Sequence, residues 1–79
     1  MSKKHAQEKH FANRCLQRIG YVPDYKELVH KIQMNKLEFF ERQSNRVTKF
    51  KWIEPVFNTH CILVYDNSRK QIVTVLFDI

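Results

Sequence analysis

Glycine occurs once in these 79 residues, at Gly20. Phosphate-cradling loops need several positions where the backbone can turn or approach a ligand without a Cβ. Neither Gly-x-Gly-x-x-Gly nor a P-loop can therefore be built. Cysteine is almost as scarce. Cys15 and Cys61 stand alone, without Cys-x-x-Cys spacing or a second ligand at finger-like distance. Both read as buried small apolar groups in a reducing compartment, and no metal or other cofactor is expected. No apolar run approaches the ~20 residues of a membrane-spanning helix. The start, Met1 to His5, carries charge with no apolar stretch behind it, so no secretory signal is expected. These absences predict a cytoplasmic chain with no membrane partner. His-Glu-x-x-His is missing, Ser2, Ser44 and Ser68 lack an elbow context, and the acids are too scattered for paired-carboxylate hydrolysis.

What is present is a basic, apolar-rich chain. Hydrophobic residues make up 43% and aromatics 13%, enough for one modest core and too much for a disordered basic tail. Fourteen Lys and Arg face eight acids, a formal charge of +6. Such an excess attracts a polyanion, so the expected partner is RNA or DNA.

The apolar pattern changes near Leu37. Before it the spacing is helical; after it, alternating and rich in β-branched and aromatic residues. A first helix is predicted from about Lys4 to Ile19, with Ala12, Cys15, Leu16 and Ile19 as its core stripe and Gly20 as its left-handed C′ residue. A second is predicted after Val22, with Pro23 in its first turn and Asp24 and Glu27 at its positive end. Tyr25, Leu28, Val29, Ile32 and Met34 supply its apolar side, and Asn35 ends it. Strands are expected at Leu37 to Gln43, Val47 to Ile53, Thr59 to Tyr65 and Gln71 to Phe77. The last two are joined by the turn formers Asp66 to Lys70. The fold class is α+β: two N-terminal helices packed on an antiparallel sheet of three to four strands, in one domain.

Two segments carry candidate chemistry. His10, Arg14 and Arg18 recur at i, i+4 and i+8 and so lie along one helix face, where like charges repel. Arg42, Arg46, Lys49 and Lys51 fall within ten residues, interleaved with Phe50 and Trp52. Alternation sends the lysines to one face and the aromatics to the other, which predicts a cationic ridge over a buried Trp52. His60 shares a face with Ile62 and Val64; His30 is expected on the polar side of the second helix, and His5 near an exposed terminus. The remaining kit of His, Arg and Lys is that of metal-free RNA cleavage.

The run His10-Phe11-Ala12-Asn13-Arg14-Cys15-Leu16-Gln17-Arg18-Ile19-Gly20 resembles the His-x-x-x-Arg-x-x-x-Arg opening of small RelE-like domains. These belong to the barnase-like and RelE-like ribonuclease toxin superfamily. The ending Ile62-Leu63-Val64-Tyr65-Asp66, a turn, then Gln71-Ile72-Val73-Thr74-Val75-Leu76 is similar to that family's closing hairpin. The chain departs from the better-known toxins in lacking a further C-terminal helix and a clear late Arg–Tyr pair. The resemblance implies a metal-independent endoribonuclease with His10, Arg14, Arg46 and Thr74 at the catalytic site. Arg18, Arg42, Lys49 and Lys51 would bind phosphates, and an antitoxin or another acidic protein is a possible partner. From other classes come a non-catalytic nucleic-acid-binding module and a small protein inhibitor using the same basic surface.

Overall fold

The computed structural model describes residues 3–77, with side chains over 8–77. Helix α1 spans Lys3–Ile19 and α2 spans Tyr25–Gln33. Strands β1 (Glu38–Arg42), β2 (Val47–Glu54), β3 (Thr59–Asp66) and β4 (Gln71–Leu76) form one antiparallel sheet in sequence order. This is the α+β arrangement expected, with the sheet four-stranded. The side chain of His5 lies outside the described residues.

Local chemistry sets the helix ends. Gly20, at φ +82°, donates its N–H to the Cys15 carbonyl and stops α1. Asp24 caps α2, its Oδ1 accepting from the Glu27 amide at 3.1 Å. Pro23 thus precedes the cap and does not occupy the first turn, because the Asp24 side chain is the better partner for a free amide. Asn35 takes φ +57° just beyond the second helix.

Both helices cover one face of the sheet. Phe11, Cys15 and Ile19 of α1 and Tyr25, Leu28 and Ile32 of α2 meet Trp52, Cys61, Leu63, Tyr65, Ile72 and Val75 in a single core. Leu16 was expected in that stripe but is 51% exposed, and Phe11 holds the place instead. The stripe that is buried runs at i, i+4 and i+8 from Phe11, rotated away from Leu16. Met34 is likewise exposed, because the helix has ended before it. The thiols of Cys15 and Cys61 are buried. Burial pushes Cys15 up to about 12, helped by Cys61 and opposed by Arg14, and pushes Cys61 up to about 11, helped by the Glu54 charge.

An edge strand exposes unpaired backbone groups, and β4 has its edge sealed by helix side chains. The Tyr25 hydroxyl donates to the Ile72 carbonyl at 3.2 Å and accepts from the Ile72 amide at 3.0 Å. Arg14 Nη2 donates to the Val75 carbonyl at 3.4 Å. The other edge, β1, is exposed along its whole length and broken by a register shift between Phe39 and Glu41.

At the opposite end of the sheet, Glu54 is fully buried. Its Oε1 accepts from the Phe57 amide at 3.0 Å, and its Oε2 accepts from the Val56 amide at 2.6 Å and from the Tyr21 hydroxyl. Burial alone would raise this carboxyl. The Tyr21 hydroxyl and the amides of Phe57, Val56 and Thr59 outweigh it and hold the group below the usual carboxylate range.

Two predictions follow from this packing. Trp52 is 7% exposed, so Trp52→Ala should cost about 3–5 kcal/mol, a large part of what so small a domain possesses. A denaturant titration followed by circular dichroism reads it. Glu54 has a depressed folded pKa, so its contribution is complete above the unfolded carboxyl value of about 4.3 and is lost as pH falls through the lower folded value. The urea midpoint should therefore decline below about pH 4, and Glu54→Gln should lower the neutral midpoint while flattening that acid limb.

Candidate nucleic-acid site

The stripe His10, Arg14 and Arg18 is not a free helix face. Each residue meets β4 or the residue after it. His10 Nε2 lies 3.3 Å from Thr74 Oγ1, with the donor set by the imidazole tautomer. Arg14 reaches the Val75 carbonyl, and Arg18 stands 5.9 Å from the centroid of the Phe77 ring. Helix α1 therefore runs parallel to β4, and residues 64 positions apart form one cluster at the strand edge.

Arg14 is the electrostatically unusual member. It is half-buried, its Nε is buried without a partner, and among the described residues no carboxylate pairs with it. A guanidinium removed from water in this way is costly until an anion meets it. His10 one turn earlier is exposed, so the cluster opens to solvent at that end.

The mid-sheet cations stand differently. Lys49 and Lys51 do share the face away from Phe50 and Trp52, but each is engaged: Lys49 Nζ is 3.3 Å from Glu41 and Lys51 Nζ is 2.9 Å from Glu38. The predicted ridge is a row of cross-strand ion pairs, since β1 supplies glutamates at the facing register positions. Lys51 also lies 5.6 Å from the Phe40 ring centroid. Arg46 is 3.0 Å from Asp66 Oδ2. Burial opposes the Asp66 carboxylate, but the Arg69 amide, Arg46 and the Ser68 amide hold it below the usual range. Arg42 donates to the carbonyls of Ser44 (3.2 Å) and Asn45 (3.4 Å).

Cross-strand register links the two groups. Glu41, Lys49, Val64 and Thr74 form one row across the helix-free face, with His10 at its β4 end. Val64 sits between Lys49 and Thr74, and Ile62 between Lys51 and Leu76, so both are buried without a helix above them. Lysine stems can cover such apolar positions while their charged heads stay wet. Strand spacing separates Thr74 from Lys49 by about 10 Å. The structure thus joins His10, Thr74 and Arg14 and leaves Arg46 and Lys49 across the sheet, tied to carboxylates.

His30 and His60 are both exposed, and among the described residues no three His, Cys, Asp or Glu side chains gather as a metal site. An open groove of about 780 Å³ lies elsewhere, around the part of β2 that β1 leaves uncovered, with Ile53, Trp52, Phe40 and Lys36 among its walls. It does not include His10, Arg14 or Thr74. Glu54 is not singled out in the sequence, and Asp66 reads there only as a turn former. Asp66 opens a turn in the Asx manner, which is a legible signal; Glu54 before Pro55 is not. No protein-family model, curated protein or solved structure matches the chain.

A guanidinium without a carboxylate partner among the described residues makes a direct test available. Inorganic phosphate should raise the melting temperature with the logarithm of its concentration once the site fills, and Arg14→Met should remove that dependence while leaving the fold intact. A thermal melt over a phosphate series, with chloride matched for ionic strength, measures both.

Proposed function

We propose that this chain cleaves RNA without a metal, with His10 as the base and Arg14 as the phosphate partner. The observation that carries the reading is the solvent-open cluster at the β4 edge. An exposed imidazole nitrogen already 3.3 Å from a hydroxyl stands one turn from a guanidinium that has no carboxylate partner among the described residues.

The chemistry needs little more. In the free protein, Thr74 Oγ1 holds the position at Nε2 where a ribose 2′-hydroxyl would be deprotonated. His10 takes that proton as the 2′ oxygen attacks phosphorus. The P–O5′ bond breaks, and the 5′ oxygen leaves with a proton drawn from solvent. Arg14 meets the non-bridging oxygens, whose charge grows in the transition state. Thr74, released from His10, is placed to orient the ribose. The products are a 2′,3′-cyclic phosphate and a 5′-hydroxyl. Arg18 continues the positive stripe along α1, and this assignment accords with the His-x-x-x-Arg-x-x-x-Arg resemblance.

The ion pairs of Lys49, Lys51 and Arg46 favour a modest role for them. They would take phosphates only by exchanging a carboxylate, as supports for the strand and not as groups at the scissile bond.

The test is cleavage of RNA by the purified chain in excess EDTA. Products should carry 2′,3′-cyclic phosphate ends, and His10→Ala should slow the reaction by about 10²–10⁴ with an unchanged melting curve. Binding without cleavage would assign the same surface to a non-catalytic module. Activity that dies in EDTA, or survives His10→Ala, would remove the mechanism.

A further inference from the structure

We infer that the end of the sheet carrying the β1–β2 and β3–β4 connections holds RNA phosphates away from the scissile position, through Arg42, Arg69 and Lys70. The inference rests on RNA being the partner, not on its being cleaved.

A meander places these two connections at the same end of the sheet. They are also bonded together. The Asn67 amide donates to the Arg46 carbonyl at 2.6 Å, and Asn67 Nδ2 donates to Thr48 Oγ1 at 2.8 Å. Arg42, Arg46, Arg69 and Lys70 are all exposed there. The nearest acids are already engaged: Asp66 takes Arg46 on Oδ2 and the amides of Ser68 and Arg69 on Oδ1, while Glu41 takes Lys49. Among the described residues no carboxylate pairs with Arg42, Arg69 or Lys70. Elsewhere on the sheet the lysines face glutamates; here the charge is left over.

The ligand class follows from what surrounds that charge. The two loops read Gln43-Ser44-Asn45-Arg46 and Asn67-Ser68-Arg69-Lys70, with no apolar side chain between them. A protein partner would ask for an apolar or aromatic centre; the exposed Val56, Phe57 and Ile53 lie at other parts of the sheet, and Phe39 and Phe40 lie back along β1, outside the two loops. Arg and Lys interleaved with Ser and Asn are the usual donors to a nucleic-acid backbone. Arg42 is held in place by its bonds to Ser44 and Asn45, so little side-chain freedom remains to be lost on binding. Lys70 is the turn residue before β4, four residues from Thr74 and up to about 13 Å away at strand rise, so the two places suit different phosphates. The loops therefore meet a second part of the strand.

The experiment is binding by the full chain to RNA that is 2′-O-methylated throughout, which offers no 2′-hydroxyl to attack its phosphates. The probe is an unstructured RNA of about twenty nucleotides, longer than a single-strand site of this kind. On single strands each neutralised phosphate contributes about −0.7 to the slope of log affinity against log salt. Arg42→Gln/Arg69→Gln/Lys70→Asn should make the slope shallower by about 2. Arg69→Gln/Lys70→Asn, which keeps the Arg42 loop bonds, should do so by about 1.4. Asn is chosen at position 70 because Lys70 sits at φ +56°. The control Lys26→Gln/Lys36→Gln removes the same charge as that double variant from exposed positions on and just after α2, and should leave the slope unchanged. A slope indifferent to the loop variants, an equal loss in the control, or a parent chain that does not bind RNA overturns the inference. Because binding is read without cleavage, failure of the His10 mechanism would leave this result intact.

Discussion

The Tyr25 hydroxyl on Ile72 is the contact on which the arrangement depends. An open sheet must do something with the backbone groups of its last strand, and here one buried hydroxyl both donates to and accepts from the same residue. That pins the first turn of α2 to β4. The Phe11 and Tyr25 rings then meet edge to face with centroids 5.3 Å apart, and α1 is drawn along the strand. Arg14 takes a carbonyl further on. The alignment that brings His10 to Thr74 is a consequence of sealing an edge, so a requirement of folding also assembles the cluster proposed to act on RNA.

The distribution of charge follows a related logic. Where strands face one another, the register sets Glu38 against Lys51 and Glu41 against Lys49. Exposed pairs of this kind add little stability. They do, however, cancel the field of the sheet's centre and leave the positive excess on α1 and at the loops. The buried carboxylates, Glu54 and Asp66, sit at opposite ends of the sheet and organise a turn each. Backbone amides take part of each carboxylate; the Tyr21 hydroxyl takes a share of Glu54, and Arg46 pairs with the second oxygen of Asp66.

Much of the fold was legible because periodicity and punctuation agreed. Gly20 and Asn35 mark the helix ends, Pro55 follows the last residue of β2, and the strand alternation separates Trp52 from Lys51 as observed. The rotation of α1 was harder to read. Phe11 and Leu16 are both compatible with a helical stripe, and only the direction from which β4 approaches decides that Leu16 stays in water. The His10–Arg14–Arg18 spacing was visible, but its meaning was not. Spacing alone describes a solvated face, whereas contact with Thr74, Val75 and Phe77 needs the sheet. The pairing of Lys49 and Lys51 was hidden for the same reason: a cation reads as available until its cross-strand neighbour is known, and the Phe39–Glu41 irregularity shifts that register by one.

Cys15 and Cys61 lie at the junction of helix and sheet, with no exposed surface and with thiols that burial keeps protonated. Since only a thiolate attacks, both sulfurs are mute toward oxidants and alkylating reagents while the core is closed. They become nucleophiles only when α1 lifts from the sheet. The chain thus carries two internal clocks of its own opening, wound by the same packing that aligns the helix with β4.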